Sequence, residues 1–164
     1  MSRWQQPLKR TVNRVLLAVI LVIFLAAGCL GEAARPNLTT DTQSSQFTTE
    51  TAKLAFLQRY LKLATPVQAA EFHIIYHDNS GGFVPGPSDW NIRVLLKVAP
   101  ADIVQWTTGM QPTTADQIDL AWAKAFAAQH PAWTMTSEPE IYQKAGMMLA
   151  LFRPEKIIFV QMVT

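Results

Sequence analysis

A single cysteine in 164 residues excludes an internal disulfide, and with only three histidines it leaves no Cys- or His-rich spacing of the kind that holds zinc or iron–sulfur clusters. There is no G-x-S-x-G elbow, no phosphate-binding glycine loop and no dinucleotide fingerprint. Acidic residues are absent from the first 28 positions, while Arg3, Lys9, Arg10 and Arg14 are all there. Long apolar runs are also missing. The uncharged segment Val15–Gly28 has 14 residues, about 21 Å as a helix against a hydrocarbon core of roughly 30 Å.

What is present fits export. A basic start, a short apolar stretch and the small residues Ala26, Ala27 and Gly28 describe a signal segment rather than a stable span. Leu25-Ala26-Ala27-Gly28-Cys29 resembles the lipobox of bacterial lipoproteins. It departs from the commonest form in having Ala26, not leucine, three residues before the cysteine. The resemblance implies diacylglycerol on the Cys29 sulfur, cleavage before it, acylation of the new amino group, and a membrane-held, extracytoplasmic chain in the cell envelope. Leu30 is not the aspartate that retains many such proteins at the inner membrane, so the resemblance favours the outer membrane where there is one. Without it, the same residues describe an ordinary export signal cleaved near Ala27 or an uncleaved anchor.

The expected organisation is a signal peptide over 1–28, a lipidated Cys29 with a disordered tether to residue 50, and one domain over 51–164. Residues 30–50 are rich in Thr, Ser, Gln and Ala with no apolar period, which is the composition of a tether. Charge must be recounted for the processed chain. Removing the four signal cations from fourteen leaves ten against twelve acids, a net of −2, so no basic patch points to nucleic acid.

In the domain, Leu54, Leu57, Tyr60 and Leu61 have helical spacing, and Pro66 lies beyond them. Glu71–His77 and Asp89–Val98 alternate as strands, the second broken only by Leu95. Pro100 can open a short helix. Thr114 and Gln117 fit a capping box ahead of Ile118, Trp122 and Phe126. Met147–Phe152 and Lys156–Val163 flank Arg153-Pro154-Glu155 as an antiparallel hairpin, preceded by a further extended segment. The order α-β-β-α-α-(β)-β-β predicts an α+β fold: an antiparallel sheet of about four to five strands with helices on one face. The final hairpin is apolar on both sides, which requires cover on both or a docking surface. Trp90 and Trp122 lie on apolar periodic faces and read as core; Trp106 and Trp133 read as nearer the surface.

The best place for a site is the long connection His77–Asp89, "HDNSGGFVPGPSD", pinned by strands at both ends. Its candidate binding residues are His77, Asp78, Asn79 and Ser80, with Trp90 at the base. His73 and His77 share a strand face but lie about 13 Å apart, too far for one ion. No metal and no cofactor are expected. Glu71, Glu138 and Glu140 could form an acid–base pair only by tertiary proximity. These observations favour a binding module over an enzyme, its partner an envelope protein or a small ligand at the 77–89 loop. The alternatives are a small hydrolase using His77 with a nearby carboxylate or serine, and a passive spacer.

Overall fold

In the computed structural model, which describes residues 39–80 and 86–163, the alternating stretch Asp89–Val98 lies near the middle of a seven-stranded antiparallel sheet. The strands are β1 Thr40–Gln43, β2 Val67–His77, β3 Asp89–Val98, β4 Gln111–Pro112, β5 Glu140–Lys144, β6 Met147–Phe152 and β7 Ile157–Val163. Their spatial order is β1-β2-β3-β7-β6-β5-β4. Two α-helices join them, α1 Glu50–Leu57 and α2 Leu120–Ala127, with 3-10 turns at Ser44–Gln46, Pro100–Thr107 and Ala115–Gln117. The expected signal segment and Cys29 lie outside the described residues.

Capping sets the helix starts. Thr49 accepts a hydrogen bond from the Ala52 amide at 3.2 Å and opens α1. The capping box expected at Thr114 does not open α2; the Thr114 hydroxyl bonds Asp116 instead. Ile118 is extended, and Asp119 then caps, its Oδ1 accepting from the Trp122 amide at 2.9 Å.

Both faces of the sheet are buried, which corrects the expectation of helices on one face only. On one side Phe72, Ile74, Val94, Leu96, Ile158 and Val160 pack with Leu57 of α1 and with Ile103 and Trp106 of the 100–107 segment. On the other, Leu95, Phe152, Ile157 and Phe159 pack with Ala123 and Phe126 of α2 and with Trp133. The doubly apolar final hairpin is therefore interior strand. Alternation in β3 suggested a solvated face because it carries Arg93 and Lys97. Both are covered: the Arg93 guanidinium carbon is 5.1 Å from the centroid of the Trp122 ring, and Lys97 Nζ is 5.1 Å from that of Trp133. Lys97 also donates to the Ala132 carbonyl. Their aliphatic stems pack while their heads meet aromatic faces and a carbonyl, so a polar period is compatible with cover.

Two further expectations change. Trp106 and Trp133 are buried, at 6 % exposure each, whereas Trp90 and Trp122 are only half-buried. Trp106 tolerates burial because its indole N–H donates to Thr65 Oγ1 at 2.8 Å. The boundary drawn at residue 51 also falls inside the fold. Thr40–Gln43 pairs with β2, Thr40 opposite Tyr76 and Gln43 opposite His73. Ser44 is buried, and the Phe47 ring lies 5.0 Å from Phe56. A threonine-rich stretch reads as tether by composition, yet β-branched threonine suits an edge strand. With β4 at the other edge, this raises the strand count to seven.

Candidate functional site

Antiparallel register gathers several chain segments at one end of the sheet. His77 is opposite Asp89, Asn91 opposite Val163, Met147 opposite Met162, Lys144 opposite Met147, and Gln111 opposite Gln143. The 77–89 connection and the β5–β6 turn therefore share this end, with β3 and β6 two strand spacings apart, about 10 Å. Thr40, where the chain enters the fold, is opposite Tyr76 and belongs to the same end.

The structure uses the candidate loop residues mainly to shape the loop. Asp78 Oδ1 accepts from the Ser80 amide at 2.9 Å, an Asx-type turn. Asn79 donates from Nδ2 to the Pro87 carbonyl at 2.8 Å, and its own carbonyl accepts from the Gly86 amide at 2.9 Å. Ser88 bonds the Asn79 amide. Residues 81–85, the centre of the connection, lie outside the described residues. Trp90 is held by rings, 4.4 Å from Tyr76 and 5.1 Å from Tyr60. His77 is exposed and lies opposite Asp89 in the β2–β3 ladder. His73 pairs with Asp41 at 2.8 Å.

Glu71 and Glu140 belong to separate clusters. Glu140 forms a two-pronged pair with Arg153, at 2.5 and 2.8 Å, and accepts from the Tyr142 hydroxyl. The Arg153 hydrogen bond holds the Glu140 carboxyl below its usual range. Glu71 is buried in a different cluster. Its Oε1 accepts from Lys53 Nζ at 2.6 Å, its Oε2 from the Ser44 hydroxyl, and His130 Nδ1 lies 3.6 Å away. The serine here is bonded to a carboxylate rather than to a histidine, so the geometry is that of a buried ionic anchor and not of an activated nucleophile.

Concave surface lies around the β5–β6 turn, Lys144-Ala145-Gly146-Met147, whose Ala145 and Gly146 have φ of 37° and 76°. This is the positive-φ geometry of a tight hairpin. On the α1 side of the sheet is a mainly apolar cleft of about 500 Å³ lined by Leu61, Trp106, Met110, Met147 and Met162, with Lys62 and Lys144 among its polar groups. A second, more polar cleft of about 530 Å³ carries the amides of Gln111, Gln117, Gln143 and Gln161. Lys144, Ala145 and Met147 belong to both. Sequence reasoning missed the apolar cleft because its residues come from four separate segments, and the expected three-residue turn at Arg153-Pro154-Glu155 would have placed Met147 opposite Gln161 rather than Met162. Among the described residues, no three His, Cys, Asp or Glu side chains are grouped to hold a metal ion.

No protein-family model, curated protein sequence or solved structure gives a significant match to the chain.

Proposed function

We propose that this chain is a lipid-anchored extracytoplasmic binding module, tied to the membrane through Cys29, that holds a small ligand at the end of the sheet shared by the 77–89 connection and the β5–β6 turn. The observation that carries the reading is the pair of clefts converging on Lys144-Ala145-Gly146-Met147. Their size falls in the ~300–1,000 Å³ range of small-molecule sites. A passive spacer would have no use for such a surface. A hydrolase centred on His77 would need an aligned nucleophile, and the hydrogen bonds of Asp78, Asn79 and Ser88 instead shape the loop.

The test is spectroscopic. The full chain carries methionine methyl groups at Met110, Met147, Met148 and Met162 in the clefts, and at Met135 away from them. With ¹³C-methyl methionine and the processed protein in phospholipid nanodiscs, fractions of a small-molecule envelope extract should shift the cleft methyls and leave Met135 unchanged. If every fraction leaves all five methyls in place, there is no small-ligand site at this end.

A further inference from the structure

The two clefts differ in chemistry. In the first, the wall is made of Trp106, Leu61 and three methionines, and Met147 and Met162 face each other across neighbouring strands. Methionine is unbranched and adaptable, and it moulds to flexible apolar partners better than valine or isoleucine does. The cationic groups at this cleft are Lys62 and Lys144. Neither has an ion pair or hydrogen bond among the described residues, although the chain pairs Lys53, Arg93 and Arg153 with carboxylates. Lys144 Nζ lies beside the 108–110 segment, from which Thr108 and Met110 line the cleft: a methyl group added to Gly109 would be 3.4 Å from it. The wall and its cations therefore complement a molecule with an apolar body and an anionic end.

Position supplies the second argument. The cleft lies at the sheet end where Thr40 enters the fold. Ten residues separate Cys29 from Thr40, and ten residues span at most about 35 Å even fully extended. If Cys29 is acylated, the membrane surface is within that reach of the residue where the chain enters this end of the sheet.

Resting on the binding-module reading, we propose that the Met110/Met147/Met162 cleft binds a single-chain fatty carboxylate drawn from the adjacent membrane, the acyl chain against the methionines and Trp106 and the carboxylate between Lys62 and Lys144. A volume of about 500 Å³ suits one chain rather than the two of a diacyl lipid. No covalent step is involved. The module captures or presents the free acid.

The experiment titrates decanoate, below its micelle concentration, into the ¹³C-methyl-methionine protein in nanodiscs, with decanol as the neutral control of equal chain length. Decanoate should shift Met110, Met147 and Met162 and leave Met135 unmoved. Decanol should bind several-fold more weakly, and Lys62→Ala and Lys144→Ala should each weaken decanoate about fivefold. Equal binding of decanol, lysine variants without effect, or shifts confined to Met148 in the glutamine-lined cleft would each overturn the proposal. If an envelope fraction shifts the cleft methyls and decanoate does not, the fatty carboxylate is wrong and the binding module stands. If nothing shifts them, both fall.

Discussion

The most exacting residue in the fold is Glu71. It lies on β2 beyond the point where β1 stops pairing, so the sheet edge there is closed by side chains instead of by a strand. Glu50 of α1 accepts the Ala70 amide at 3.0 Å, and Lys53, one turn on, bridges Glu50 at 2.8 Å and Glu71 at 2.6 Å. Burial alone would pull the Lys53 ammonium down, but the hydrogen bonds it donates to Glu50 and Glu71, with the attraction of those carboxylates, outweigh it and the pKa is raised. Glu71 is only 5 % exposed. Removing its cation leaves a buried carboxylate with a hydroxyl and a more distant imidazole. Lys53→Met should therefore destabilise the domain by about 3 kcal/mol in urea unfolding. Glu71→Gln should do less, because the amide can keep the Ser44 contact without a net charge. Combined, the two changes should recover at least about 1 kcal/mol relative to their sum. Simple additivity would mean that the pair is not coupled.

At the scale of elements, Glu155 shows how a turn fastens a segment that has no regular structure. Its carboxylate accepts from the Thr136 amide and hydroxyl, both at 3.0 Å, and from the Ser137 amide at 2.8 Å and hydroxyl at 2.6 Å. Desolvation pushes this carboxyl up, yet the Ser137 and Thr136 hydrogen bonds overcome it and lower its pKa from 4.5 to about 2. A depressed acid stabilises the fold fully above its unfolded value and loses that contribution as the pH falls through the folded one. The window is therefore between pH 4.5 and about 2. Glu155→Gln should cost about 1 kcal/mol near neutrality after solvent screening, and should flatten the decline of the urea midpoint across that window. A decline as steep as the parent's would assign the acid sensitivity elsewhere. Legibility of the elements follows the same physics. β3, β6 and β7 could be read because they are long enough to show a period and are bounded by clear turn residues. β1 and β4, four and two residues long, are too short to show one and exist only by pairing. The covered second face was hidden because Arg93 and Lys97 look solvated until Trp122 and Trp133 are placed over them. The final hairpin was legible but its register was not: a three-residue Arg153-Pro154-Glu155 turn would set Met147 against Gln161, whereas Lys156, at φ 60°, joins the turn, so that Phe152 pairs with Ile157 and Met147 with Met162. Trp106 and Met110 join the apolar cleft through long-range packing that no local pattern records.

For the whole molecule, the proposed attachment would determine what the sheet end can meet. If the chain is cleaved before Cys29, its net charge is −2, so electrostatic adhesion to an anionic bilayer would be unfavourable. No helix among the described residues is long and apolar enough to cross a membrane. On the proposed reading, residence at the membrane would come from Cys29, ahead of the fold. Each buried lipid methylene contributes about 0.8 kcal/mol, so the two or three chains implied for Cys29 would hold the domain essentially permanently. The prediction concerns the mass and location of the chain together. Wild-type protein should be recovered with the membranes even after high-salt washing, with an intact mass of residues 29–164 plus lipid. Cys29→Ser cannot form the thioether, so its cleavage should fail and its mass should be that of the unacylated precursor with residues 1–28 in place. A wild-type chain that starts elsewhere, or keeps a free thiol, would remove the anchor. It would also remove the reason for placing the methionine-lined cleft within reach of a lipid surface.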